Sequence, residues 1–492
     1  KIMPGCHALR HKGFRAIVPE GKGCGHGSNP PSAKGYGAGL PFARPFLALQ
    51  TEKTEFRKGH IAAPKAANFA PIVTHQQHKA IMSALIFPVP EPVCVGRGPS
   101  RATSDAAEPR QGAVCGPAAA PLATAHNRPR ILPVFLPFAG CPTRCVFCAQ
   151  DVQTGQRGGT DTVNHALALA DARLAHEARQ MDAERCPDGG RKSDAAPVRG
   201  TRPGAPSASP PTPLEIAFYG GTFTLLPEAQ RAACLDLARR WRERGIICRV
   251  RCSTRPDAVT ERSLADLRAA GMDCVELGIQ SFDDAALAAA CRGYDGAVAR
   301  TACALVDGAG LELGVQLMPG MPGVTPEVFR ADVRTALLPD DEGAAPLVSF
   351  LRFYPCLVLR GTPLAERWRS GSYIPWPLDA TVDALADGLL AAWARGVAVV
   401  RMGLSPEDGL DDAVLAGPVH PALGQLVKAE ALRRHVAAHL ALLPGPPVRL
   451  GVPRRLRGLL WGHANGLVDA YAAMGITRAM VHWRDDDTFT LE

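Results

Sequence analysis

No stretch of this chain approaches the roughly 18 uncharged apolar residues that a membrane-crossing helix needs. The start lacks the charged-then-apolar signature of a secretory signal. Also missing is the compact cysteine framework of a small disulfide-stapled domain, although the 492 residues include 15 cysteines. Most of them, such as Cys234, Cys248, Cys252, Cys274 and Cys303, sit inside apolar patterns, where a free thiol packs as a small hydrophobe. Together these absences lead to the expectation of a soluble protein in a reducing cytoplasm, with no membrane partner.

Periodicity is what residues 1–130 lack. Gly, Pro, His and Lys are scattered through them, as in Gly21-Lys-Gly-Cys-Gly-His-Gly27, with no sustained helical or strand pattern. The tract holds 17 Lys and Arg against 6 Asp and Glu, a surplus of +11, whereas residues 131–492 carry a balance of −3. The net charge of +8 is therefore a property of the tail. Such a composition is expected to stay disordered, and its basic excess suits either nucleic acid or plain solvation. Because the chain begins with Lys1, the tract is also read as upstream sequence, with a start near Met82 or later.

What is present begins at residue 131. An apolar run over 131–138 leads into Gly140-Cys-Pro-Thr-Arg-Cys-Val-Phe-Cys-Ala-Gln150, which places Cys141, Cys145 and Cys148 in a C-x3-C-x2-C loop. Thiolates favour iron–sulfur clusters, and a short loop can wrap three of them around one face of a four-iron cube, leaving one iron open. A zinc site is the alternative, but no second C-x2-C pair or close histidine set follows. The loop resembles that of the radical S-adenosylmethionine (SAM) enzymes, where the open iron holds the amino and carboxylate groups of SAM.

Beyond the loop, short β-rich runs at 131–138, 215–219, 246–252, 274–279, 313–317 and 347–353 alternate with helical patterns near 162–185, 227–244, 260–270, 284–309 and 325–337. That alternation implies parallel strands joined by right-handed crossovers. The fold class expected is α/β, a partial (β/α)6 barrel over 131–354 with a flexible insertion at 186–213 and an α/β extension over 355–492. Functional groups should then cluster at the C-terminal strand ends. There the sequence offers Phe218-Tyr-Gly-Gly-Thr-Phe-Thr224, Ser253-Thr-Arg-Pro-Asp257, Val275-Glu-Leu-Gly-Ile-Gln-Ser281 and Val315-Gln-Leu-Met-Pro-Gly-Met-Pro-Gly323. Adjacent glycines let backbone approach a ligand closely, or simply make a tight turn. Asp257 is read as the cap of the next helix. Glu276, inside a strand, should face the barrel lumen or pair with a basic group.

In this order the motifs resemble the radical-SAM core of the Elongator catalytic-subunit family. The likeness continues through Phe353-Tyr-Pro-Cys-Leu-Val-Leu-Arg-Gly-Thr-Pro363, Trp368-Arg-Ser-Gly-Ser-Tyr373, Arg401-Met-Gly-Leu404 and Gly417-Pro-Val-His-Pro421. It implies a [4Fe–4S] cluster on Cys141, Cys145 and Cys148, with SAM against Phe147, Gly220, Gly221, Thr222, Ser253, Arg255 and Gln280. Tyr354 and Arg360 are the candidates for substrate contact, and Arg401 and His420 serve either substrate or structure. The implied reaction is one-electron cleavage of SAM to methionine and a 5′-deoxyadenosyl radical, fed by a reductant such as flavodoxin or ferredoxin. The implied substrate is the wobble uridine of tRNA.

Two departures qualify the resemblance. The first cysteine gap is shorter than in full Elongator-type enzymes, and no acetyl-CoA loop is found in the 50 or so residues after Leu440. The chain thus resembles a short bacterial branch without the acetyltransferase domain, which leaves acetyl-CoA use in question. One rival is an oxygen-independent coproporphyrinogen oxidase, whose loop carries another cysteine where Gln150 stands here. A non-catalytic RNA-binding or assembly module stapled by its cluster is the other. The basic run Val452-Pro-Arg-Arg-Leu-Arg457, beside an expected strand at 479–483, either meets RNA phosphates or begins a solvated helix packed on the barrel.

Overall fold

The computed structural model describes the strand Leu85–Pro88 and residues 129–153, 162–185, 214–337, 348–404 and 410–492, all within the unit Lys79–Glu492. The insertion expected at 186–213 and all of the tract 1–130 but 85–88 and 129–130 lie outside the described residues. All six expected strands are present: β1 (Arg130–Phe135), β2 (Leu214–Tyr219), β3 (Ile247–Thr254), β4 (Cys274–Gln280), β5 (Glu312–Leu317) and β6 (Phe350–Phe353). A seventh, β7 (Ala398–Met402), was not expected; it is a half-buried edge strand whose Ala-Val-Val run reads as the tail of the preceding apolar helix.

The strands pair in parallel in chain order, β1 to β7, and no ladder joins β7 back to β1. In a flat sheet β2 and β6 would lie about 19 Å apart, four strand spacings. Yet the Tyr219 hydroxyl on β2 and Arg352 Nη2 on β6 are 2.8 Å apart, beyond the combined reach of the two side chains across a flat sheet. The sheet therefore curls around a lumen, as an incomplete barrel must. Its strands are buried on both faces, with Ile216, Phe218, Cys252, Leu277, Val315 and Phe353 in one continuous core.

Helices cover the outside because their apolar residues fall at helical spacing. Glu228–Glu243 buries Cys234, Leu237, Ala238 and Trp241, and Trp241 Nε1 donates to Asp171 Oδ1 at 2.7 Å, stitching it to Thr162–Arg185. The helix Glu261–Ala269 is capped by Thr260, not by the expected Asp257, because Thr260 Oγ1 accepts from the Ser263 amide at 3.1 Å. The helical pattern near 284–309 breaks into Asp284–Ala289 and Gly296–Gly308, with Asp283 and Asp295 as caps. Cys291 and Gly293 in the break are both left-handed, which ends the first helix.

Past β6, helix Leu423–Leu440 lies against Leu378–Ala394, and Arg434 joins Asp383, Asp387 and Glu430. The first helix turns Val427 and Ala431 to the barrel core, and Leu432 and Val436 to a second core. That core underlies a sheet ordered Leu85–Pro88, Thr488–Leu491, Leu450–Pro453, Val481–Arg484. The apolar run Leu-Ile-Phe-Pro over 85–88 thus pairs antiparallel with the last strand, so these four residues depart from the disorder expected of their tract.

Candidate active site

After β1 the chain makes a tight loop, with Phe138 and Gly140 left-handed and the Cys141 amide donating to the Phe138 carbonyl at 3.1 Å. This loop interlocks with the turn after β2. A Cβ on Gly140 would come within 2.3 Å of the Thr222 carbonyl oxygen, and one on Gly221 within 2.1 Å of the Ala139 carbonyl oxygen. Gln150 joins the two loops as well: its Oε1 accepts from the Gly221 amide at 3.0 Å and from the Phe138 amide. The absence of a Cβ at Gly221 therefore answers this chain's own backbone rather than a ligand. Gly220, where a Cβ would meet nothing closer than 3.4 Å, keeps an open side.

The three cysteines of the loop line one cavity of about 460 Å³ at the C-terminal strand ends. Cys145 is buried, and its sulfur accepts from Arg292 Nη1 at 2.9 Å, with Arg255 Nη1 4.0 Å away. Cys141 Sγ lies 3.4 Å from Thr222 Oγ1. Burial, then the neighbouring Cys145 and Cys141, pushes the Cys148 thiol up to about 12, and burial also raises Cys141. Cys141 and Cys148 therefore resist ionising unless positive charge arrives to hold them as thiolates.

Among the described residues, no three His, Cys, Asp or Glu side chains stand close enough to hold a single metal ion. An iron–sulfur cube asks for a wider set, because each thiolate binds a different iron. The cysteine wall fits that requirement. Across the cavity, Gln280 is left-handed at φ 72°, and its buried Oε1 has no hydrogen-bond partner. A strained backbone presenting an orphaned acceptor is arranged for a donor from outside the chain.

The cavity gathers most of the residues singled out from sequence: Phe147, Gly220, Gly221, Ser253, Arg255, Gln280 and Tyr354 all line it with the cysteines. Thr222 is fully buried behind Cys141 and reaches the site only through that sulfur. Arg360 does not line the cavity: it is exposed, and its Nη2 donates to the Asp412 carbonyl at 3.1 Å. Arg401, on the unexpected β7, does line the cavity, as does Met318. His420 accepts from the Ala422 amide at 3.0 Å and braces a turn. Asp257 clamps Arg255 in a two-pronged pair at 2.9 and 2.8 Å.

Sequence reading missed Arg292, Tyr219, Gln316 and Arg352, which also line the cavity. The last three form its floor with Glu276. This carboxylate is wholly buried and pairs with Arg251 Nη1 at 2.7 Å and Arg352 Nε at 2.9 Å, while Gln316 Nε2 donates to it at 3.0 Å. Burial alone would raise its pKa, but the Arg352 and Arg251 charges outweigh burial and hold the carboxyl below its ordinary range. Lumen and ion pair, the two expectations for Glu276, are thus both realised. An alternation of charged residues inside buried strands was the available signal: Arg249, Arg251, Glu276 and Arg352.

At the C-terminal sheet, Arg454 and Arg455 pair with Asp485 and Asp487 at 2.7 and 2.6 Å. The basic run, read as either a phosphate contact or a solvated helix start, has acidic partners within the chain. No helix among the described residues is long and apolar enough to cross a membrane.

Comparison with known proteins adds to this geometry. Residues 209–336 match the family model described as the Radical SAM superfamily, and residues 348–433 match the Radical_SAM C-terminal domain. Both matches begin beyond the cysteine loop. The chain is 26% identical over 211 residues to the tRNA uridine(34) acetyltransferase of Methanocaldococcus infernus, covering 39% of each protein. It is 29% identical over 210 residues to Elongator complex protein 3 of Drosophila melanogaster, covering 38% of this chain and 37% of that one. The chain thus spans about two fifths of the length of these curated relatives. The solved structure of Methanocaldococcus infernus Elp3 with an N-terminal deletion superposes with a TM-score of 0.43 at 20% identity, covering 62% of this chain and 64% of that one.

Proposed function

From a chain that carries a radical SAM domain and has Elongator-type relatives, we propose an enzyme that cleaves SAM reductively and directs the resulting radical at tRNA, on the wobble uridine. The observation that carries the reading is the single cavity onto which Cys141, Cys145, Cys148, the Gly220–Gly221 turn and Gln280 all open. When bound, a reduced [4Fe–4S] cluster and SAM supply an electron transfer that breaks the sulfonium C–S bond, leaving methionine and a 5′-deoxyadenosyl radical.

The chain's residues have separable tasks. Cys141, Cys145 and Cys148 hold the cluster, and Thr222 orients the first of them. Gly220 gives backbone access for the amino-acid end of SAM, and Arg255, fixed by Asp257, offers its guanidinium edge to a carboxylate. Ser253 and the unpartnered Gln280 oxygen, both on the cavity wall, would offer hydrogen bonds to the ribose. Phe135, Phe147, Met318 and Leu404 make apolar wall that keeps water from a reactive radical. Tyr354 and Arg401, at the ends of β6 and β7, stand where the substrate enters. The barrel runs from residue 131 through β7, and the rest of 355–492 is the extension. In this proposal a one-electron carrier such as flavodoxin or ferredoxin supplies the electron, and the cytoplasm, where tRNA is met, is the compartment proposed for the protein. The relatives' names carry the tRNA part of the proposal; the cavity carries the SAM part.

The test is 5′-deoxyadenosine formation by anaerobically reconstituted protein with and without bulk tRNA, with Cys145→Ala as the blank. Stimulation by tRNA that vanishes in the blank is the expected result. Cleavage indifferent to tRNA moves the substrate to small molecules, and no cleavage from an intact reduced cluster overturns the enzyme reading.

A further inference from the structure

We infer that Arg292 is a positioning residue that sets the reduction potential of the cluster through its hydrogen bond to Cys145. This rests on the reading that the three cysteines hold a [4Fe–4S] cluster. Arg292 is 5% exposed, and its Nη1 donates to Cys145 Sγ at 2.9 Å. The guanidinium cannot swing away, because Nη2 donates to the Gly278 carbonyl and, at 2.7 Å, to the Tyr294 hydroxyl, and Nε donates to the same hydroxyl at 3.0 Å. Tyr294 is anchored in turn on the Ile279 carbonyl at 2.9 Å. Every polar group around Arg292 thus aims one N–H at one sulfur.

The sequence builds this aim through the break between helices Asp284–Ala289 and Gly296–Gly308. The left-handed Cys291 turns the chain, the Arg292 amide closes on the Leu287 carbonyl at 3.0 Å, and the Val146 amide beside Cys145 donates to the Ala290 carbonyl at 3.3 Å. Cysteine loop and arginine turn are pinned together. No carboxylate lies within hydrogen-bonding distance of the Arg292 guanidinium among its described contacts, so its charge is left for the sulfur.

Reduction adds one negative charge to a cluster whose ligands are already anionic. A fixed cation in a buried site favours the reduced state, and hydrogen bonds to ligand sulfurs act in the same direction. Arg292 therefore raises the potential and makes the cluster easier to reduce. Arg255, farther from the same sulfur and neutralised by Asp257, contributes less.

The experiment is a redox titration, followed by electron paramagnetic resonance, of reconstituted wild type, Arg292→Gln and Arg292→Lys, with iron and sulfide assayed in each. Arg292→Gln is expected to load iron as wild type does, and to show about a tenfold lower reduced-to-oxidised ratio at fixed poise, about 59 mV for one electron. Arg292→Lys keeps the charge but not the fork, and should fall between the two. An unchanged ratio in a loaded Gln variant overturns the inference. If Arg292→Gln does not load, the Lys variant decides: a lowered ratio supports the role and an unchanged one overturns it. Wild type that binds no cluster defeats the underlying reading instead, and is recognised before any variant is made.

Discussion

Gly220 and Gly221 look equivalent in sequence, and the structure separates them. Both are left-handed, at φ 78° and 62°, so alanine at either position meets a backbone penalty of about 1–2 kcal/mol. At Gly221 the new Cβ would also stand 2.1 Å from the Ala139 carbonyl oxygen, 2.8 Å from the Leu136 oxygen and 2.9 Å from the Ala139 nitrogen. All three are backbone atoms of the cysteine loop, so no rotamer change relieves the overlap. Forcing extra volume into packed structure adds about 1–3 kcal/mol, giving about 2–5 kcal/mol for Gly221→Ala against about 1–2 for Gly220→Ala. The displaced loop also loses the Thr222 amide to Ala139 carbonyl bond of 2.7 Å. Urea unfolding read by tryptophan fluorescence measures the stability difference, and iron content after reconstitution reads the loop. Gly221→Ala should be the less stable and the poorer in iron. Equal losses in both readouts would refute the argument that Gly221 serves the loop.

Other outcomes follow from the buried charges and the cavity boundary. Glu276→Gln leaves the Arg251 and Arg352 guanidiniums without their shared carboxylate, and should lose about 3–5 kcal/mol in urea unfolding, with a loss under about 1 refuting the network's weight. Because the folded Glu276 carboxyl lies below its ordinary 4.5, its contribution is present above that pH and drains as pH falls through the lower folded value, so Glu276→Gln should flatten the acid limb of stability. Asp332 has the opposite sign. Burial raises it from 3.8 to about 6, so its contribution is full below pH 3.8 and lost as pH rises through 6, about 3 kcal/mol in all. Asp332→Asn, which can keep the contacts to Ser281 and Phe282, should remove that slope between pH 4 and 7. Arg360→Ala should leave 5′-deoxyadenosine formation within about twofold of wild type. Tyr354→Phe, losing a hydroxyl 3.3 Å from Arg352, should lower kcat/KM for the tRNA-dependent reaction by about tenfold.

The barrel was legible because each of its parts has a local cause. Continuous apolar runs between glycine-bounded turns gave β1 to β6, and i, i+3, i+4 spacing gave the helices between them. The site was legible where chemistry is dense in sequence: three cysteines in eight residues, two glycines at a strand end, a glutamine closing another. Side chains that act across the fold left little local signal. Arg292 lies in a helix break that apolar periodicity reads straight through, and Gln150 matters because the Phe138 and Gly221 amides, the second 71 residues on, both need an acceptor. Arg360 was read from its place in a motif, and its contact with the Asp412 carbonyl, 52 residues on, left no local signal either. Asp257 is a suitable cap by type, but the helix starts at Glu261, which makes Thr260 the cap and leaves Asp257 in the preceding turn, paired with Arg255.

The most direct test of the central claim is Mössbauer spectroscopy of anaerobically reconstituted wild type, recorded before and after SAM is added. The account predicts a [4Fe–4S] cluster of about four irons per chain, with one iron whose environment changes when SAM arrives, and its loss in Cys141→Ala, Cys145→Ala and Cys148→Ala alike. A single bound metal ion, or a cluster that is indifferent to SAM and survives those three substitutions, would contradict it.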